Sequence, residues 1–424
     1  MDLISIKLEN KNFLAMSLII WLVTMPMQLV LVDALRFQIA HIGQIISLIF
    51  LIPVLKEMSI NRFELKTLLF FLMLLLFSIF TGFKNVYGLF LGVFYTISSL
   101  QILIYIKFII SQDSSYFNLI LRILTFSGRS ISFFIFIYFL LEPKFFYSFL
   151  MQDKTYFLVY VFTLIFLELF YYKCQKKDIK LISYFYILFL IFISITSASR
   201  SIAFFVPLCV AILIDALLNK SVKVHVKYLV VLSLISFFSY VFYTLLSVTD
   251  SLGIEDPLYA FNRFISALDS SDPTRSTHFL FLNIAIIEKF NSLENFLFGV
   301  GLANFQFAAR DSLIFGELSQ YESYMRYAVY SPSFLYMPGV SIWGELFLEL
   351  PIFLFIPILL LAINLITSCF FNKNYFNFLF IFGIFGAGFF YSLHHSSTFY
   401  LGLFLAILVR YSYLNIGSGE KNES

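Results

Sequence analysis

Residues 181–218 read LISYFYILFLIFISITSASRSIAFFVPLCVAILIDALL. Two apolar runs, 181–197 and 201–218, meet across the short link Thr196-Ser197-Ala198-Ser199-Arg200-Ser201. A hydrocarbon layer about 30 Å thick is crossed by about 20 apolar helical residues. Inside lipid the backbone finds no water, so a helix satisfies its own hydrogen bonds. The pair therefore predicts two membrane helices with Arg200 held at the surface where they turn. A guanidinium keeps its charge and offers phosphate oxygens a planar fork of donors. It also snorkels to a membrane surface without any ligand, and both readings stand here.

The pattern continues on either side. Further apolar runs fall at 13–32, 38–55, 66–81, 87–108, 130–149, 156–172, 228–247, 340–366, 375–393 and 398–414. With the first pair they predict an all-α integral membrane protein of about 12 spans. The first run follows Lys7 and Lys11 and lacks a small-residue cleavage site, so it reads as a retained span. Residues 113–129 carry Arg122 and Arg129 on an apolar pattern and predict an interfacial helix before the 130–149 span. Composition agrees: of 424 residues 60% are hydrophobic and 12% charged, with mean hydropathy +0.91. That is too few charges to clothe a soluble protein of this length. The 58 Phe and 26 Tyr fit AT-rich coding, and no function is read from them. A net charge of +3 gives no reason to expect a nucleic acid partner. Cys174, Cys209 and Cys369 have neither metal nor disulfide-framework spacing.

Positive charge sets the orientation. With an even number of spans both termini share a side. Placing them inside puts Lys173, Lys176, Lys177 and Lys180 in one cytoplasmic segment and Lys220, Lys223 and Lys227 in another. The short outer loops then hold only Arg36, Lys84, Lys144, Lys154 and Arg200. The chain divides into N-terminal membrane helices (1–247, about nine spans), a large outer loop (248–339) and C-terminal membrane helices with a short tail (340–424, about three spans).

The loop 248–339 is far more polar than its flanks, and a loop of this length is generally functional or disordered. Its helical periodicity over 274–291 argues against disorder. Asp272 and Pro273 suit an N-cap and first turn. Arg275, His278 and Leu282 fall on one face of that helix by spacing. Gly299 and Gly301, two apart after Leu297-Phe298, predict a tight turn or a backbone pressed against a neighbour. Glu345 and Glu349 are four apart near the outer end of the 340–366 run. They are either a functional pair or two carboxylates facing interfacial water. His394 and His395 lie in the last outer turn as a candidate base or a polar turn. Nothing here has the spacing of a metal or nucleotide site.

Taken in order, three elements resemble the O-antigen polymerase and O-antigen ligase superfamily. Thr196-Ser197-Ala198-Ser199-Arg200-Ser201 is similar to the family's Thr-x-Ser-Arg-Gly element at the outer end of a helix. Asn262-Arg263, followed by Asp269-Ser270-Ser271-Asp272 and Arg275, resembles its arginine stretch and second, helix-opening arginine. Leu297-Phe298-Gly299-Val300-Gly301-Leu302-Ala303-Asn304-Phe305 resembles its Phe-Gly-x-Gly-x-x-Asn-Phe turn. The chain departs from the pattern at Ser201, where Gly is usual, and at Ser331-Pro332-Ser333-Phe334, where a His-Asn pair is expected. The family's Glu-x-Gly element corresponds to Glu345 or Glu349 without its glycine.

The resemblance implies a GT-C-like, metal-independent inverting glycosyltransferase without cofactor. It would join undecaprenyl-pyrophosphate-linked repeat units into O-antigen or capsular polysaccharide on the outer face of a bacterial cytoplasmic membrane. It further implies Arg200, Arg263 and Arg275 on the pyrophosphate, with Arg200, Arg275, Glu345 and His278 as the catalytic set. Gly299, Gly301 and Asn304 would shape the loop turn. A flippase and a chain-length regulator of the same pathway are the implied protein partners. The alternatives are an O-antigen ligase, which differs in its acceptor, and a lipid-linked oligosaccharide flippase or other carrier. The absent His favours the polymerase over the ligase. A carrier is disfavoured because no two-half repeat is evident.

Overall fold

The computed structural model describes residues 3–27, 30–32, 37–55, 62–82, 86–111, 114–142, 154–175, 179–197, 202–218, 277–302, 304–308, 341–371, 374–390 and 400–409. They are almost wholly helical. The first half contributes α1 (Leu3–Thr24), α2 (Ile39–Leu55), α3 (Arg62–Gly82), α4 (Val86–Ser111), α5 (Ser114–Leu141), α6 (Lys154–Cys174), α7 (Leu181–Thr196) and α8 (Ile202–Leu218). The second half contributes α9 (Thr277–Asn291), α10 (Leu293–Phe298), α11 (Phe305–Ala308), α12 (Ile342–Glu349), α13 (Ile352–Phe371), α14 (Tyr375–Phe390) and α15 (Tyr400–Val409). A short antiparallel ribbon, β1 (Val30–Val32) with β2 (Phe37–Gln38), links α1 to α2.

Four described helical stretches are long and apolar enough to cross a membrane: Gly88–Lys107, Phe117–Leu141, Tyr156–Cys174 and Ile352–Phe371. Six further apolar helices are shorter, including Asn12–Thr24, Ile39–Val54 and Tyr375–Gly388. The distribution of polarity suits a bilayer. Outward positions of α2 carry Ile45, Ile49 and Ile52, and those of α13 carry Phe353, Ile356 and Leu360. Polar groups turn inward and bond across helices. The Ser17 hydroxyl donates to the Ser47 carbonyl at 2.7 Å and the Ser47 hydroxyl donates back to the Ser17 carbonyl at 2.8 Å. Gln101 Nε2 reaches Ser47 Oγ at 2.6 Å. Such bonds join helices where lipid offers no hydrophobic drive to pack them.

The helices differ from the sequence expectation in three places. The stretch 113–129 is no separate interfacial helix, since α5 runs unbroken from Ser114 to Leu141. Arg129 does not end it because its guanidinium forks onto the buried Glu168 carboxylate of α6, with Arg129 Nε 3.0 Å from Glu168 Oε2. The first run also stops early: α1 ends at Thr24, and Val30–Val32 belongs to the ribbon. The 340–366 run is two helices, broken at Leu350-Pro351. Proline disfavours helical geometry in the residue before it, and Leu350 is extended at φ −88°, ψ 150°. Pro351 also lacks an N–H, so it opens α13 where no donor is needed; its carbonyl accepts from Leu354 and Phe355 N–H. The expected span at 228–247 lies outside the described residues.

Candidate functional site

The break at Pro351 leaves carbonyls at the end of α12 without donors from the next turn. Three groups from the 277–308 segment supply them. Val300 N–H donates to Leu348 O at 3.2 Å, and Gly301 N–H donates to Glu349 O at 3.0 Å. Lys289 Nζ donates to Leu350 O at 2.7 Å. A positive charge at a helix C-terminus also complements the helix dipole. Lys289 is fully enclosed, at 0% exposure, with the Phe347 ring centroid 5.6 Å from its Nζ.

The turn that reaches α12 is built locally. The Ser292 hydroxyl caps α10 by accepting from Asn295 N–H at 3.0 Å. Gly299 closes α10 at φ 70°, ψ 175°, a region essentially restricted to glycine. A Cβ there would lie 2.4 Å from Glu349 O, so only hydrogen fits against the α12 backbone. Gly301 also has positive φ, at 94°. Asn304 Nδ2 spans the turn to Val300 O at 3.0 Å. Phe305 N–H, at the start of α11, faces Glu349 Oε1 at 3.3 Å.

Glu345 and Glu349 are therefore not interfacial carboxylates in water: they are 1% and 0% exposed. The N-terminus of α12 is anchored to α14. The Ser341 hydroxyl accepts from Gly344 N–H and lies 3.2 Å from the Gly388 carbonyl, while Trp343 Nε1 donates to Phe385 O at 2.9 Å. Gly388 permits this approach, since a Cβ there would come 2.3 Å from Ile342 Cγ2. The adjoining stretch of α14 meets the start of α8, with the Phe204 and Phe382 rings 6.2 Å apart. The turn also abuts the start of α4, where a Cβ on Gly88 would lie 2.2 Å from Leu302 O. One end of the bundle thus gathers the starts of α4, α8 and α13, the end of α14, and the α9–α12 cluster.

Among the residues expected to act, Glu345, Glu349, Gly299, Gly301 and Asn304 come together in this joint. His278 lies in the first turn of α9, one turn before Leu282. Arg200, Arg263, Arg275, His394 and His395 lie outside the described residues, as do Asp272 and Pro273. On either side of 198–201 the chain is described: Ser197 follows α7 and its hydroxyl donates to Ser194 O at 2.7 Å, and α8 opens at Ile202. Lys289 and Trp343 were not singled out from the sequence. Lys289 had a signal, because it shares a helical face with Leu282 and Ala285, the α9 residues nearest Gly344. Among the described residues no group of three or more His, Cys, Asp or Glu could hold a metal ion.

Burial lowers Lys289 from the usual lysine range to about 8. The unfolded chain then binds this proton more tightly. The buried charge is a full cost below about pH 8, and the cost fades as pH climbs toward about 10.4. Wild-type protein in detergent is therefore expected to gain thermal stability relative to Lys289→Met between about pH 7 and about pH 10. Parallel melting curves over that interval would show that Lys289 is not a buried cation.

No protein-family model, curated protein or solved structure matches the chain.

Proposed function

We propose that this chain is a polymerase that joins undecaprenyl-pyrophosphate-linked oligosaccharide repeat units on the outer face of a bacterial cytoplasmic membrane. In this reading it is a GT-C-like protein of about 12 spans with both termini cytoplasmic. The observation that carries the proposal is the pair of enclosed carboxylates, Glu345 and Glu349, at the bundle end where α8 begins just after Arg200. The turn resembling the family's Phe-Gly-x-Gly-x-x-Asn-Phe element is bonded directly to the helix that bears them.

The reaction asks for two things. The bond from the anomeric carbon to pyrophosphate breaks, and negative charge grows on the leaving oxygen. Arg200, Arg263 and Arg275 are assigned to stabilise it. The hydroxyl of the second repeat unit attacks the opposite face, inverting the carbon, and gives up its proton. Glu345 or His278 is assigned to receive it. Shelter from bulk water favours the sugar hydroxyl over water as the nucleophile. The product is the lengthened glycan on one carrier, with undecaprenyl pyrophosphate released.

A carrier reading draws on the broken α12–α13 pair, since transporters use discontinuous helices. In those proteins the break lies at mid-membrane. Here α13 is itself long enough to span, so the break falls beyond its end. A strain lacking the gene is expected to make lipopolysaccharide or capsule bearing a single repeat unit. Polymer stranded on the lipid carrier would instead indicate a ligase, and lipid-linked units held at the cytoplasmic face a flippase.

A further inference from the structure

The α9–α10 segment exposes several large apolar side chains, with Asn291, Ser292 and Glu294 exposed among them. Glu288 and Lys289 point inward, at 6% and 0% exposure. Ile287, Phe290, Leu293 and Phe298 point outward, at 62%, 63%, 74% and 57%. A helix bathed in water would bury these apolar groups and expose its charges. Soluble surfaces rarely leave a contiguous apolar patch of this kind uncovered. The patch is also continuous with another apolar surface. The α10 helix packs on α13, whose first turns expose Phe353 and Ile356, and α13 is apolar and long enough to span.

We propose that the α9–α10 elbow is not an aqueous loop but inserts Ile287, Phe290, Leu293 and Phe298 into the hydrocarbon of the bilayer around α13, with the exposed Asn291, Ser292 and Glu294 at its polar boundary. Lipid covers the exposed side chains as it covers those of α13. Glu288 and Lys289 turn inward because lipid cannot solvate them. The elbow then holds the Glu349 joint at the edge of the hydrocarbon. This consequence bears on lipid-linked substrate only if the glycan reading holds; the insertion itself depends only on α13 crossing the membrane.

The test places a tryptophan reporter on the edge of the full-length protein, as Phe290→Trp, Leu293→Trp and Ile287→Trp separately. Each variant is reconstituted in phosphatidylcholine–phosphatidylglycerol vesicles, with and without bromine on the acyl chains, and its added emission is taken against the parent, which carries Trp21 and Trp343. The added emission is expected to be blue-shifted and at least about twofold more sensitive to brominated chains than to aqueous acrylamide. All three positions are exposed, so folding should survive, and any one variant that inserts suffices. Acrylamide quenching without bromine quenching would place the edge in water and overturn the proposal. Emission shielded from both quenchers would mean that a second copy or another protein covers it, which also overturns it.

Discussion

Replacing Arg200 with Ala is expected to abolish polymer formation, leaving at most single repeat units on the surface glycan, while the protein still inserts in the membrane. Arg275→Ala is expected to do the same. Loss of one donor that stabilises transition-state charge in a water-poor site typically costs about 10²–10³ in rate. A processive polymer multiplies that deficit at each addition, so the ladder disappears instead of shortening slightly. Lysine should rescue poorly at either position, because an ammonium is a point charge without the paired donors of guanidinium. Glycan from cells carrying each variant, separated by size beside a blot for membrane-inserted protein, reads the effect. Normal ladders from both Ala variants would remove the arginines from the chemistry.

The second large effect concerns a residue without a functional group. Gly299→Ala is expected to unmake the joint between the turn and α12. The backbone at φ 70°, ψ 175° costs a non-glycine residue about 1–3 kcal/mol. The added Cβ would also meet Glu349 O at 2.4 Å and Leu350 C at 2.7 Å, and these are backbone atoms that cannot swing away. Gly344 is the control. There a Cβ meets Leu282 Cδ1 at 3.4 Å and Ala285 Cβ at 3.6 Å, which is ordinary packing, and Ala favours a helix over Gly by about 1 kcal/mol. Thermal unfolding in detergent should therefore separate the pair, with Gly299→Ala melting well below wild type and Gly344→Ala at or above it. Equal melting temperatures would mean that the turn does not bear on α12.

This contrast shows what the amino-acid sequence could and could not reveal. Helices α2, α6, α7 and α8 were legible as apolar helices because an apolar stretch is a demand that single residues satisfy independently; of the four, α6 is long and apolar enough to cross a membrane. The Gly299-Val300-Gly301 turn was legible because positive φ leaves a compositional trace. The break before α13 was less legible. Hydropathy averages across 340–366, and one proline among so many apolar residues barely alters it; the Leu350-Pro351 pair was the available sign. Arg129 was misread for a related reason. A charge on an apolar run signals a membrane surface unless its partner is known, and Glu168 is a neighbour in space but distant in sequence. The burial of Glu345 and Glu349 was beyond reach in the same way, because it depends on how α9 and α12 meet. The local spacing of the carboxylates was visible, but their shelter was not.

The proposed polymerase makes the glycosidic bond without help from another protein. Purified chain reconstituted in vesicles with an undecaprenyl-pyrophosphate-linked repeat unit, in EDTA and without other proteins, tests it most directly. A ladder of carrier-linked oligomers is expected, with one undecaprenyl pyrophosphate released for each bond formed. Repeat units that remain single under these conditions, and are joined only when a divalent cation is restored, would contradict a metal-independent mechanism. Units that remain single even then, in protein shown to be folded, would contradict the claim altogether.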